Sequence, residues 1–285
     1  MSKRVLRWLE SYRQPRHWWK NVAWRFPSTI SDLNAVFVVG SPRSGTTLLQ
    51  RMLSLHSELF SISGETGIFT YQNLFDPRRK HFGLPAARIK SLQEGSSDVV
   101  DFFRKGVSYL STEHGGNRFV EKTPQHVLRL PFILKHFPAS QVIHVVRDGR
   151  DCYCSSRFNP AIPQNRSIGR FARYWKKCVS APMPHETNDR LFTVRYEHLV
   201  SRPRQQMTDV MTFLGLSFEG SQLDSSRIGN DHRANVEGFD RLKQPISAAT
   251  VNRFESELTK TEISRFEALA DRALAYYGYD LIGGS

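Results

Sequence analysis

The segment Gly40-Ser41-Pro42-Arg43-Ser44-Gly45-Thr46-Thr47 holds the residues of this chain whose types and spacing point most directly to chemistry. Two glycines separated by four residues reproduce the spacing of a phosphate-binding P-loop, in which backbone N–H groups and a helix N-terminus surround phosphate oxygens. One position departs from that pattern. Thr46 stands where a lysine would reach the β- and γ-phosphates of ATP or GTP. A cation lies inside the loop instead, as Arg43, whose planar guanidinium can fork onto an oxyanion. The loop therefore suits a phosphate-bearing ligand other than a triphosphate.

A second charged cluster, Arg147-Asp148-Gly149-Arg150-Asp151 followed by Ser155 and Arg157, sets a cation after an apolar run and a hydroxyl about two helical turns later. It suits a second, separate phosphate. On this cluster alone, a strand-to-helix turn closed by an N-cap and a salt bridge is the favoured reading. Asp148 and Asp151 fit turn-forming and salt-bridge roles within this pattern. No Walker-B aspartate is evident, and Arg and Lys groups can carry the charge that Mg²⁺ carries in phosphoryl transfer, so no metal is expected.

The elements that must hold these groups alternate between strand and helix. Ala35-Val36-Phe37-Val38-Val39 is a continuous apolar, β-branched run, which reads as a fully buried parallel strand leading into Gly40. Leu48, Leu49, Met52, Leu53 and His56 then recur at helical spacing. Phe60 and Ile62 suggest a short strand ending at Gly64-Glu65-Thr66, and Val99, Val100, Phe103, Val107 and Leu110 form the stripe of a helix beginning near Ser97. Phe119-Val120 reads as a strand end before Lys122. Thr123-Pro124 opens a helix that Pro131 restarts or kinks.

Val142-Ile143-His144-Val145-Val146 is a second buried strand, running into Arg147, and Leu191-Phe192-Thr193-Val194 is a further one before Arg195-Tyr196-Glu197. Met207, Val210, Met211 and Leu214 make a helix face that ends at Gly215. Thr259 and Glu262 are spaced as a capping box for a last helix ending at Gly278. The predicted fold class is α/β, a P-loop NTPase-like parallel sheet flanked by helices on both faces. Such sheets bind ligands at the carboxyl ends of their strands, where Gly40, Glu65, Lys122 and Arg147 all fall.

With 285 residues, 39% hydrophobic and 12% aromatic, the chain suffices for one large α/β domain, assigned to residues 35–285. Residues 1–34 read as a basic, Trp-rich extension, with Trp8, Trp18, Trp19 and Trp24 among Lys3, Arg4, Arg7, Arg13, Arg16, Lys20 and Arg25. It either rests peripherally on an anionic membrane or packs its tryptophans on the domain. A formal charge of +13 should attract a polyanionic partner, whether a ligand with several phosphates, an acidic polysaccharide or a membrane surface; the competing reading is that it serves solubility alone. The basic residues are spread along the chain without a nucleic-acid-binding motif, so no nucleic acid partner is expected. Cys152, Cys154 and Cys178 form neither a disulfide framework nor a zinc pattern, which fits a reducing compartment. No apolar run reaches the ~18 residues of a membrane span and no signal-like core opens the sequence, so the expected location is the cytoplasm.

Pro42-Arg43-Ser44-Gly45-Thr46-Thr47, Gly64-Glu65-Thr66, Glu121-Lys122-Thr123-Pro124, Val146-Arg147-Asp148-Gly149-Arg150 with Ser155, Arg195-Tyr196-Glu197, and a tail from Lys243 to a final Gly278-Tyr279-Asp280 agree in order and approximate spacing with a known family. Across most of its length the chain resembles the sulfotransferases that use 3′-phosphoadenosine 5′-phosphosulfate (PAPS), most closely the branch with tyrosylprotein sulfotransferases. The resemblance implies that Arg43, Ser44, Gly45, Thr46 and Thr47 hold the 5′-phosphosulfate. It assigns the 3′-phosphate to Arg147 and Ser155, with Arg253 as a weaker candidate, and brings Tyr196 close to the adenosine. In-line displacement at sulfur needs an activated acceptor oxygen and neutralisation of the leaving phosphate. The resemblance casts Glu65 as general base, Lys122 and Arg43 at the bridging and non-bridging oxygens, and Thr46 and Thr47 as hydroxyl donors. A histidine base, used by cytosolic small-molecule members, is the alternative; none of His56, His81 and His114 has a context that singles it out.

The expected acceptor is a hydroxyl on a carbohydrate, lipid or small metabolite, because the tyrosylprotein enzymes work in a secretory lumen behind an anchor that this sequence does not display. Two other functions compete. A P-loop ATP-dependent small-molecule kinase is supported by the glycine spacing and opposed by Thr46. A non-catalytic module binding acidic glycans or membranes is supported by the basic surface and the tryptophans.

Overall fold

The apolar runs become five parallel strands. In the computed structural model, which describes residues 15–70, 73–76, 80–114, 117–160, 162–228 and 245–283, these are β1 (Val36–Gly40), β2 (Leu59–Ser61), β3 (Arg118–Lys122), β4 (Gln141–Val146) and β5 (Leu191–Arg195). They form one sheet in the order β2-β3-β1-β4-β5. Val38 is in register with Lys122 on one side and Ile143 on the other, and Val146 with Arg195. Each parallel pairing requires a crossover, which the intervening helices supply.

Burial on both faces explains why β1 is apolar at every position. Val36 and Val38 pack with Leu49, Met52, Leu53, Met207 and Val210 on one face, while Phe37 and Val39 pack with Phe103, Val127 and Phe137 on the other. A third apolar cluster surrounds Val146, where the helices Ile168–Ser180 and Lys260–Tyr276 contribute Trp175 and Phe266. The fold is thus the expected α/β sheet covered on both faces.

The expected helices form at Thr46–Ser54, Val99–His114, Pro203–Leu214 and Lys260–Tyr276. Gly215 closes the third in the left-handed region at φ 74°, and the Thr259–Glu262 capping box opens the last. Thr123-Pro124 starts a 3₁₀ turn, Pro124–Arg129, and Pro131 at the head of Leu130–His136 restarts the chain as an α-helix.

A helix at Pro15–Ala23 precedes the sheet. Trp24 is buried at 2% exposure against Phe75 and Phe102, the Leu74 N–H donates to Asn21 Oδ1, and Lys20 Nζ donates to the Gln93 carbonyl, whereas Trp19 and Phe26 are exposed. Lys3, Arg4, Arg7, Trp8, Arg13 and Lys243, with the side chains of Arg16 and Trp18, lie outside the described residues. No described helix is long and apolar enough to cross a membrane.

Candidate active site at the strand carboxyl ends

β1 delivers the chain into the Gly40–Thr47 loop. An added Cβ on Gly40 would sit 2.5 Å from the Val145 carbonyl oxygen and 2.8 Å from Ser44 Oγ, so β1 meets β4 only with glycine there. Arg43 and Gly45 both take left-handed backbone angles, φ 67° and φ 100°. For a non-glycine residue such as Arg43 that conformation costs about 1–3 kcal/mol. Gly45 precedes the helix Thr46–Ser54 without a side-chain cap, so the helix's first N–H groups open toward the loop. Ser44 Oγ is buried with no hydrogen-bond partner among the described residues.

The expected cations gather around this loop. Arg43 Nε donates to Ser155 Oγ at 3.0 Å, and Arg147 donates from Nη1 to the Arg43 carbonyl at 3.4 Å and from Nη2 to the Thr250 carbonyl at 2.7 Å. The Arg147 guanidinium lies 4.3 Å from the Tyr196 ring centre, and the Tyr196 hydroxyl is 2.8 Å from Thr250 Oγ1. Burial, followed by the charges of Arg147 and Arg253, lowers the Arg43 pKa, as expected of cations crowded together. Arg253 itself is ion-paired with Glu257 at 2.7 Å. Thr46 is buried and Thr47 half-buried at the helix start.

Glu65 and Lys122 meet at the end of β3. Lys122 Nζ donates to Glu65 Oε1 at 2.8 Å; the ammonium side chain is 0% exposed and the carboxylate 37%, so the buried charge is compensated by a partner that faces outward. The histidines weighed as alternative bases bond to other parts of the chain. His56 Nε2 is 3.0 Å from the Ser217 carbonyl, His81 Nε2 is 2.8 Å from the Leu74 carbonyl, and His114 stacks on Phe60.

Thr250 carries no role in the sequence reading, whereas Asp148 and Asp151 take the capping and salt-bridge roles expected of their cluster. Thr250 bridges Arg147 and Tyr196, and the Asp151 carboxylate accepts from the Asn252 and Phe254 N–H groups, fastening residues 250–254 beside the cluster. Burial pushes the Asp151 carboxyl up to about 6 despite Arg147 3.8 Å away. Asp148 caps the helix Gly149–Ser156 by accepting from the Arg150 N–H. The Tyr279 hydroxyl donates to Glu197, so the motif after β5 and the Gly-Tyr-Asp tail are halves of one contact.

Fold and cluster together define the class: an α/β protein whose cations, hydroxyls and one outward carboxylate converge at the carboxyl ends of a parallel sheet. Residues 35–220 match the model of the sulfotransferase family, and the chain belongs to that family, whose reaction is sulfuryl transfer. It is 24% identical over 268 residues to protein-tyrosine sulfotransferase 1 of Danio rerio, covering 87% of this chain and 73% of that one. It is 25% identical over 261 residues to a putative protein-tyrosine sulfotransferase of Caenorhabditis briggsae, covering 86% and 89%. Among solved structures it superposes on the sulfotransferase domain of the Synechococcus PCC 7002 olefin synthase with a TM-score of 0.69 at 22% identity, covering 91% of this chain and 99% of that one. A mouse sulfotransferase complexed with PAP superposes with a TM-score of 0.50 at 15% identity, covering 87% of each chain.

Proposed function

We propose that this sulfotransferase takes its sulfuryl group from PAPS and delivers it to a hydroxyl of a carbohydrate, lipid or small metabolite, with Glu65 as general base. The observation that carries this reading is the convergence of Arg43, Arg147 and Ser155 on a loop whose buried Ser44 hydroxyl has no partner among the described residues. Crowded guanidiniums and an unsatisfied hydroxyl are what a multiply anionic nucleotide relieves. The neighbour complexed with PAP supports the same donor class.

Arg43, Ser44, Gly45, Thr46 and Thr47 hold the 5′ end of the donor, and Arg147 and Ser155 its 3′-phosphate, with Arg253 as a further cation and Tyr196 beside the adenosine. The bound donor supplies a sulfuryl group already activated by its link to phosphate. Glu65 takes the proton of the acceptor hydroxyl as the new O–S bond forms. Lys122 and Arg43 neutralise the charge that grows on the departing phosphate as the bridging S–O bond breaks. Nothing in this scheme calls for a metal.

The family match over residues 35–220 does not carry the acceptor, because acceptor pockets are grafted onto a shared fold. Incubating the chain with sulfur-labelled PAPS and separate glycan, lipid, metabolite and tyrosine-peptide pools tests the proposal. Label is expected in one of the first three pools, and Glu65→Ala is expected to lower transfer by about 100-fold or more while donor binding persists. Transfer to tyrosine peptides alone contradicts the acceptor class, and undiminished transfer by Glu65→Ala contradicts the base.

A further inference from the structure

The residues that follow Glu65 are tied to those around Lys122 by a buried polar network. Glu121, one residue before Lys122 on β3, is wholly buried. Its Oε1 accepts from Thr66 Oγ1 at 2.8 Å and from Thr123 Oγ1 at 2.7 Å, and its Oε2 accepts from His126 Nδ1 at 2.9 Å. Thr123 Oγ1 accepts in turn from the Gly67 N–H at 3.0 Å. His126 Nε2 accepts from the Phe69 N–H at 3.3 Å, and Arg129 Nε donates to the Phe69 carbonyl at 3.1 Å. Residues 66–69 are thus fixed at four points to residues 121–129.

The pattern of donors fixes the protons. A backbone N–H only donates, so His126 Nε2 presents its lone pair to Phe69 and the ring proton sits on Nδ1, facing Glu121. The carboxylate meets three donors on its two oxygens. Every member is satisfied in one arrangement only.

We propose that Glu121 and His126 are positioning residues that hold the loop after β2 so that Glu65 stands beside Lys122. The inference rests on the reading of Glu65 as base. Stability alone is a poor reason for this pair, because a buried carboxylate and imidazole are costly to desolvate and a well-packed apolar pair serves a core at least as well. Its location gives the better reason. Lys122 lies in the chain between Glu121 and Thr123 and pairs with Glu65, so the same two segments are joined once through the reacting groups and again through the network behind them.

The test is steady-state kinetics of Glu121→Gln, His126→Phe and His126→Asn beside Glu65→Gln, with adenosine 3′,5′-bisphosphate affinity measured for each. Glu121→Gln puts an amide N–H against a donor, and His126→Phe removes both ring nitrogens at similar volume. Both are expected to lower kcat by about 10- to 100-fold with bisphosphate affinity within about twofold of wild type, the signature of a misplaced reacting group. His126→Asn, whose amide can still donate to Glu121, is expected to recover most of that loss. Added to Glu65→Gln, Glu121→Gln is expected to cost less than about twofold more, since the two act as one unit. Wild-type kcat in Glu121→Gln and His126→Phe with an inactive Glu65→Gln overturns the positioning role alone. An active Glu65→Gln overturns the base assignment. Parallel loss of kcat and bisphosphate affinity, equal in His126→Asn and His126→Phe, overturns the positioning role in favour of folding.

Discussion

At Gly45 a left-handed backbone, a helix start and the Tyr196 ring meet in one residue. A Cβ there would lie 2.4 Å from Tyr196 Cδ2, and φ is 100°, so both the local backbone and the neighbour just after β5 demand glycine. Gly45→Ala is expected to lower stability by about 1–3 kcal/mol in urea unfolding and to weaken adenosine bisphosphate binding with it. Arg43→Lys keeps the charge and loses the fork. It is expected to cut bisphosphate affinity by about tenfold or more, and loss of the Nε bond to Ser155 is expected to cost about 0.5–1.5 kcal/mol in urea unfolding. The sequence made Arg43 legible as a displaced cation because its residue type and place in the loop carry that information. Its left-handed φ was not legible, since nothing local distinguishes that conformation for an arginine.

Strand β4 carries an element-scale consequence in His144. Both ring nitrogens are buried without hydrogen-bond partners among the described residues, and burial pushes its pKa down from 6.5 to about 3. The folded state therefore refuses a proton that the unfolded chain accepts below 6.5, so stability falls as pH drops toward 3, at up to about 1.4 kcal/mol per pH unit. At Glu121, burial raises the pKa, but the interaction with His126, followed by the Thr123 and Thr66 donors, outweighs it and lowers the pKa; its contribution is present above 4.5 and is lost as pH falls below that. Asp151 acts in the opposite sense, its contribution lost as pH rises through about 6. His144→Leu is expected to flatten the urea-unfolding profile between pH 6.5 and 4.5 relative to wild type and to raise stability at pH 5. An unchanged slope contradicts a buried, neutral His144. Strand positions were readable because apolar, β-branched runs leave few alternatives. That β2 lies beside β3, and so brings Thr66 to Glu121 across 55 residues, was not readable, because strand order depends on how crossovers pack.

The whole molecule assembles its site from distant segments, and this limits what a sequence reveals. Arg147 and Thr250 are 103 residues apart, and Glu197 and Tyr279 are 82 apart; motif order hints at such partners but does not state their contacts. The stripe Ile168, Phe171, Trp175 and Val179, by contrast, is as regular as the helices that were predicted, and its packing on the sheet end follows from it. Trp24 is a molecular-scale contact too, reaching from before β1 into the cluster with Phe75 and Phe102. Trp24→Ala is expected to cost about 3–5 kcal/mol in urea unfolding, whereas a self-contained extension predicts almost no change.

The most direct test of the central claim, that the Gly40–Thr47 loop and its cations serve a phosphosulfate donor, is calorimetric titration of adenosine 3′,5′-bisphosphate and of ATP with and without Mg²⁺. Tight binding of the bisphosphate, independent of Mg²⁺ and weakened by added salt, is expected of a charge-driven site. Stronger binding of ATP that depends on Mg²⁺ contradicts that claim.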